Sequence, residues 1–205
     1  MELGLISDIH RHLPAAAIEA LQGCDRIICA GDVEDPRLLW ELESVAPTIA
    51  VLGNCDRGTM WDPTVRFSVS PTLGGVKFLV VHRPQDIGIP APDVQVVVHG
   101  HTHVPRNEVI QGVRYVNPGS CSFPRGGSKA GVARMTMEDG EVRAVRFIEL
   151  PAEEARIPPN AHPPAAARCR YGVPPQTTRN TRQVQRRKSR CTRSPSEMRM
   201  QRIRL

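Results

Sequence analysis

A chain of 205 residues with 40% hydrophobic residues is long enough for one domain with a core of its own. No apolar run approaches the roughly 20 residues of a membrane-crossing helix, and the start MELGLISD lacks a basic secretory leader; a cytoplasmic protein with no membrane partner is expected. The six cysteines (Cys24, Cys29, Cys55, Cys121, Cys169 and Cys191) form no C-x-x-C pair, which argues against a disulfide framework or a cysteine zinc knuckle.

The net charge of +6 divides unevenly. Residues 151–205 hold 13 Lys or Arg against 3 acidic residues, leaving 14 basic and 18 acidic residues before them. Residues 1–150 are therefore expected to form the folded domain. Residues 151–205 are expected to be a disordered basic Pro/Arg-rich tail. Such a tail is either a solvated extension or a weak contact for nucleic acid.

In chain order, the first third alternates strand and helix. LGLIS is a short buried run, and LPAAAIEALQG reads as a helix with Pro14 near its start and Gly23 as its stop. RIICA is a second buried strand. PRLLWELES is a second helix, with Leu38, Leu39 and Leu42 as its apolar stripe, and TIAVLG is a third strand. Two such crossovers imply a parallel sheet covered by helices. After residue 60 the pattern turns to strands. RFSVSPTLGGVKFLVVH bends at Gly74–Gly75, VQVVVHG is another buried run, and EVIQGVRYVN pairs around Gly112. The stretch GVARMTMEDGEVRAVRFIEL reads as a hairpin turning at Asp139–Gly140. An α/β fold follows, with two sheets packed face to face and helices outside.

Ligands of open α/β sheets bind beyond the carboxyl ends of the strands. Asp8 and His10, Asp32, Asn54, His82, and the run His99, His101, His103 all fall there. Taken singly, Asp32 reads as a helix cap, Asn54 as a turn residue and His82 as a core histidine. Their convergence from several strand ends reads instead as a metal site. His99, still attached to VVV, is expected to pack within its strand. Mixed oxygen and imidazole donors suit Mn²⁺ or Ni²⁺, with Zn²⁺ or Fe²⁺ as alternatives, better than Mg²⁺.

The ordered set DIH, GD, GNCD, H and GHTH resembles the calcineurin-like metallophosphoesterase superfamily over residues 1 to about 148. The small size and the GNCD wording resemble its YfcE-type phosphodiesterase branch. The resemblance implies a four-layer α/β/β/α sandwich of two mixed β-sheets flanked by helices. It implies two divalent ions, one held by Asp8, His10 and His103, the other by Asn54, His82 and His101, with Asp32 bridging them. It implies hydrolysis of a small phosphate ester, most naturally a phosphodiester, by a hydroxide that the ions activate. Asn117–Pro118–Gly119 with Ser120 would line the edge of the site, or form a plain turn. Cys55 stands where many relatives carry a histidine; it is a candidate to touch substrate, and the general acid is left open. Arg83, where relatives carry glycine, and Arg106 are candidates to bind substrate phosphate, or else point to solvent. A non-catalytic scaffold on the same fold is the alternative reading, and the filled ligand set weighs against it.

Overall fold

The computed structural model describes residues 1–155. The expected tail, apart from its first five residues, lies outside the described residues. Among those described, the elements run β1 (Glu2–Ile6), α1 (Ala15–Leu21), β2 (Arg26–Cys29), α2 (Arg37–Glu43) and β3 (Thr48–Ala50). They continue as β4 (Ser68–Val69), β5 (Thr72–Leu73), β6 (Val76–Val81), β7 (Val96–Val98), β8 (Arg106–Ile110) and β9 (Val113–Asn117). The long hairpin β10 (Gly131–Glu138) and β11 (Glu141–Glu149) and the short helix α3 (Ala152–Ala155) complete them.

The first sheet has the order β11-β10-β1-β2-β3, and the second β4-β6-β7-β9-β8 with β5 paired to β6. Strands β1, β2 and β3 are parallel, as are β6, β7 and β9, while β10, β11, β4, β5 and β8 join antiparallel. Both sheets are thus mixed, and with the helices they make the expected α/β/β/α architecture. The helices are shorter than the sequence patterns, seven residues each for α1 and α2. Between β6 and β7 the chain forms only a 3₁₀ turn at Pro84–Asp86. No helix among the described residues is long and apolar enough to cross a membrane.

Strand periodicity explains how one run serves two layers. Leu3, Leu5, Ile28 and Ala30 cluster with Phe78, Val80, Val96, Val98 and Val116 between the sheets. The alternate residues Ile6, Ile27 and Cys29 cluster with Ala17, Leu21, Leu39 and Leu42 on the helix side. Each such fully buried side chain contributes roughly 1.5–3 kcal/mol. The β1 and β2 runs are apolar and buried after their first residue because both faces are covered.

Helix α3, just past residue 150, contacts the start of α1. Helix α1 begins at Pro14 with no side-chain cap from its own flank. Its first turn is capped from α3: Glu154 Oε2 accepts the Ala16 N–H at 2.8 Å, and the His12 Nε2 lies 2.6 Å from the Glu154 carbonyl.

Candidate metal centre

Every parallel strand of the two sheets delivers its polar residues to one edge, and the backbone there is strained. Nine non-glycine residues among those described have positive φ, and seven of them are Asp8, His10, Arg11, Asp32, Glu34, His101 and His103. The other two, Gln111 and Asp139, sit in hairpin turns. Left-handed backbone at such residues costs about 1–3 kcal/mol each, and it concentrates where function requires it. The glycines before these residues are needed for contact. A Cβ on Gly53 would stand 2.0 Å from Asp32 Oδ1, and one on Gly100 would stand 1.9 Å from Ser7 Oγ. The pairs G-D, G-N and G-H thus let neighbouring loops press together.

The donors meet in three overlapping groups, two of them made of Asp and His alone. Asp8, His10 and His103 offer ligand atoms within 4.8 Å of one another, as do Asp8, Asp32 and His82. His103 Nε2 is 3.2 Å from Asp8 Oδ1 and 3.2 Å from His10 Nε2. His82 Nε2 is 3.3 Å from Asp32 Oδ2, and His10 Nε2 is 3.9 Å from that same oxygen. Asp8 is common to both groups, and Asp32 Oδ2 faces both His82 and His10. The His101 ring meets the His82 ring edge-on with centroids 5.3 Å apart. Asn54 Oδ1 is buried and without a hydrogen bond.

The tautomers follow from the opposite ring nitrogens. His82 Nδ1 donates to the Ala30 carbonyl at 2.7 Å, and His103 Nδ1 donates to the Phe123 carbonyl. His10 Nδ1 faces the Glu34 carboxylate at 2.7 Å. All three acceptors lack protons to give, so all three Nδ1 atoms carry one, and a lone pair for a metal can come only from the inward Nε2 atoms. Two such lone pairs 3.2 Å apart repel unless a cation lies between them. The same holds for the carboxylates of Asp8 and Asp32, and the orphaned Asn54 Oδ1 and His82 Nε2 want a partner. The residues present fit a pair of divalent ions.

Burial and charge compete at His82. Burial acts to lower its basicity, but the nearby Asp32 carboxylate outweighs burial, and Asp8 adds to it, holding the imidazolium up to about 9. The His82 Nε2 contact to Asp32 is close but poorly aligned, so charge attraction carries the effect. Burial likewise pushes the Asp32 carboxyl up, yet His82, the Cys55 N–H and His10 together hold it well below the usual carboxylate range. His101 is pushed down by burial and by the charge of His82. His99 is buried, with Nδ1 3.1 Å from the Gly100 carbonyl and Nε2 3.5 Å from an Arg106 nitrogen.

Several further side chains hold the loops. Asp56 is buried and accepts the main-chain N–H groups of Asp32, Gly53 and Glu34. Ser120 Oγ donates to the Asp8 carbonyl at 2.7 Å, and Ser122 Oγ donates to the Ile9 carbonyl at 2.7 Å. Asn117 Nδ2 donates to the Gly100 carbonyl at 3.0 Å and to Thr102 Oγ1 at 2.9 Å. The Asn-Pro-Gly-Ser stretch is thus a brace beneath the ligand loops as well as a turn.

The residues expected to touch substrate are placed differently. Arg83 is paired through two bonds of 2.7 Å with Asp86. Arg106 is paired with Glu108 at 2.9 and 3.0 Å and lies over the Tyr115 ring. Both guanidiniums pair with local carboxylates. Cys55 is at the cluster: its Sγ falls within 4.8 Å of donor atoms of His10 and Asp32, and its N–H donates to Asp32 Oδ1 at 2.8 Å. The Cys55 main chain thus helps to orient the Asp32 carboxylate.

Residues 1–140 match the model of the calcineurin-like phosphoesterase superfamily domain. The chain belongs to this superfamily. It is 31% identical over 173 residues to phosphodiesterase YfcE of Escherichia coli, covering 71% of this chain and 91% of that one. The solved structure of that protein aligns with a TM-score of 0.57 at 28% identity, over 71% of this chain and 98% of that one. A structure described as a novel archaeal phosphodiesterase aligns with a TM-score of 0.60 at 26% identity, over 73% of this chain and all of that one. Vps29 of Entamoeba histolytica complexed with Zn²⁺ aligns with a TM-score of 0.58 over 73% of this chain and 98% of that one. At 17% identity it shares the fold alone. Superfamily membership and the two donor groups together make this a metal-dependent phosphoesterase of the dimetal class.

Proposed function

We propose that this chain is a phosphodiesterase of the YfcE type, hydrolysing a small phosphodiester with two divalent ions. The observation that carries the reading is the inward convergence of the His10, His82 and His103 Nε2 atoms on Asp8 and Asp32. Asp8, His10 and His103 would hold one ion and Asn54, His82 and His101 the other, with Asp32 shared. Bound there, the ions would supply an activated water and neutralise the phosphoryl oxygens. Asp32 suits the shared position because its Oδ1 is pinned by the Cys55 N–H while Oδ2 faces both His82 and His10. Asn54 contributes an oxygen without charge, which keeps the centre electrophilic. The braces at Ser120, Ser122 and Asp56 hold these donors before substrate arrives, so little reorganisation is needed when charge develops. The mixed donor set favours Mn²⁺ or Ni²⁺, then Zn²⁺ or Fe²⁺, over Mg²⁺. A cytoplasmic setting belongs to this proposal, as does a weak nucleic-acid contact through residues beyond those described.

The test is elemental analysis joined to turnover. Protein loaded with Mn²⁺ or Ni²⁺ should hold two ions per chain and cleave a chromogenic diester faster than with Mg²⁺. A chain that stays without metal after loading would sink the reading. A chain that binds two ions yet cleaves no diester across a broad panel would leave a binding protein on the same fold.

A further inference from the structure

Of the three imidazoles whose Nε2 atoms meet at the centre, two rest on main-chain carbonyls. His82 uses Ala30 at 2.7 Å, and His103 uses Phe123. His10 differs, because its Nδ1 lies 2.7 Å from the Oε1 of Glu34. Both side chains are buried, with 9% of the imidazole and 6% of the carboxylate side chain exposed. The second carboxylate oxygen lies 3.3 Å from Arg11 Nε, on a side chain that is 61% exposed. A buried anion beside a solvated guanidinium is weakly compensated from that side.

The placement of Glu34 is built into the backbone. Its φ is +64°, its N–H donates to Asp56 Oδ1 at 2.7 Å, and His10 and Arg11 opposite it also have positive φ. The His10 and Arg11 N–H groups donate to the carbonyls of Asp32 and Val33, at 2.9 and 3.0 Å. The two loops are therefore zipped together with the carboxylate directed at the imidazole. A carbonyl behind a ligating imidazole offers a dipole. A carboxylate offers a full charge, fixes the ring orientation and strengthens the nitrogen's hold on a cation.

We propose that Glu34 is a positioning residue that makes the two metal positions unequal, so that the one ligated by His10 fills first and holds its ion more tightly. This inference rests on the two-ion centre proposed above but not on its reaction. The glutamate acts through His10 and touches neither substrate nor ion.

Competition of the full chain with a chromogenic chelator for Mn²⁺ reads the two affinities without any turnover. The wild-type chain should show two unequal steps. Glu34→Gln keeps the length and a hydrogen-bond acceptor but removes the charge, and should weaken the tighter step about 10- to 100-fold. The weaker step and the thermal midpoint of the metal-free chain should stay close to wild type. Equal steps in the wild type, no change in Glu34→Gln, or equal weakening of both steps with a fallen midpoint would each overturn the proposal. Should Glu34→Gln not yield folded protein, Arg11→Ala reads the same carboxylate from outside. Removing the competing cation should tighten the first step, and an unchanged or weaker step counts against it. A wild type that takes up no metal overturns both this inference and the two-ion reading. A wild type with two unequal steps and no esterase activity overturns the reaction alone.

Discussion

The carboxylate of Asp56 accepts the main-chain N–H of Asp32 at 2.9 Å, so one member of the donor cluster is held by an acid outside the donor groups. The same carboxylate accepts the N–H groups of Gly53 at 2.7 Å and Glu34 at 2.7 Å. One buried side chain thereby fastens the loop after β2 to the loop after β3. Asp56→Ala would leave these donors buried without an acceptor, at a combined cost of about 3 kcal/mol or more. Asp56→Asn should also destabilise, because its amide NH₂ would face donors. Chemical denaturation of the metal-free chain checks this, and a loss below about 1 kcal/mol for the alanine variant would count against the role.

The donors at the strand ends were legible because each apolar run stops on a residue that a core would not tolerate alone. The braces were not. Ser120 and Ser122 reach Asp8 and Ile9 across more than 110 residues, and no local pattern announces such a contact. Glu34 and Asp56 were in view within GDVED and GNCD, but their partners are a ring nitrogen and main-chain amides, which leave no spacing to read. The local ion pairs of Arg83 and Arg106 were legible too. RPQD and RNE place a carboxylate three and two residues away, and a guanidinium pairs with the nearest one. The hairpin at Asp139–Gly140 was plain from two residues, since both take positive φ.

The raised His82 gives the chain a pH signature. Its folded value of about 9 lies above the ordinary 6.5, so its pairing with Asp32 stabilises the metal-free chain fully below about pH 6.5. That contribution is lost as pH rises through about 9. Metal uptake at Nε2 must displace the same proton, so affinity at that position should rise about tenfold per pH unit below 9. Thermal midpoints of chelator-treated protein and metal affinities over pH 6 to 9.5 should therefore move in opposite directions. Parallel movement would remove His82 from the ligand set.

Glu154 makes the end of the folded unit a matter of measurement. It caps the first turn of α1 through Ala16, and its carbonyl receives His12. A chain ending at Leu150 should be less stable than one ending at Ala155 by about 1–2 kcal/mol, the worth of a lost helix cap. Glu154→Ala in the full chain should account for part of that difference, since the carbonyl contact survives it. Equal denaturation midpoints for the two truncations would show that α3 adds nothing to α1.

Asp32 and His101 distinguish a shared ligand from a terminal one. Asp32 Oδ2 faces both His82 at 3.3 Å and His10 at 3.9 Å, whereas His101 stands at the rim with its ring against His82 alone among the donor imidazoles. Asp32→Ala would remove the negative charge between two cations, raising their repulsion where substrate must dock. It would also release the Cys55 N–H from its acceptor. His101→Ala would remove one donor of the second position and leave Asp8, His10, Asp32 and His103 in place. Its main-chain N–H, which donates to both Asp8 oxygens at 3.0 and 3.2 Å, survives the substitution. Turnover of Asp32→Ala should thus stay lost at every metal concentration, while His101→Ala should recover in part as metal is raised. Both variants should keep the far-ultraviolet circular dichroism of the parent. The measurement is turnover against metal concentration with bound metal determined alongside. If Asp32→Ala is rescued as readily as His101→Ala, Asp32 is not the shared ligand and the two donor groups must be divided another way.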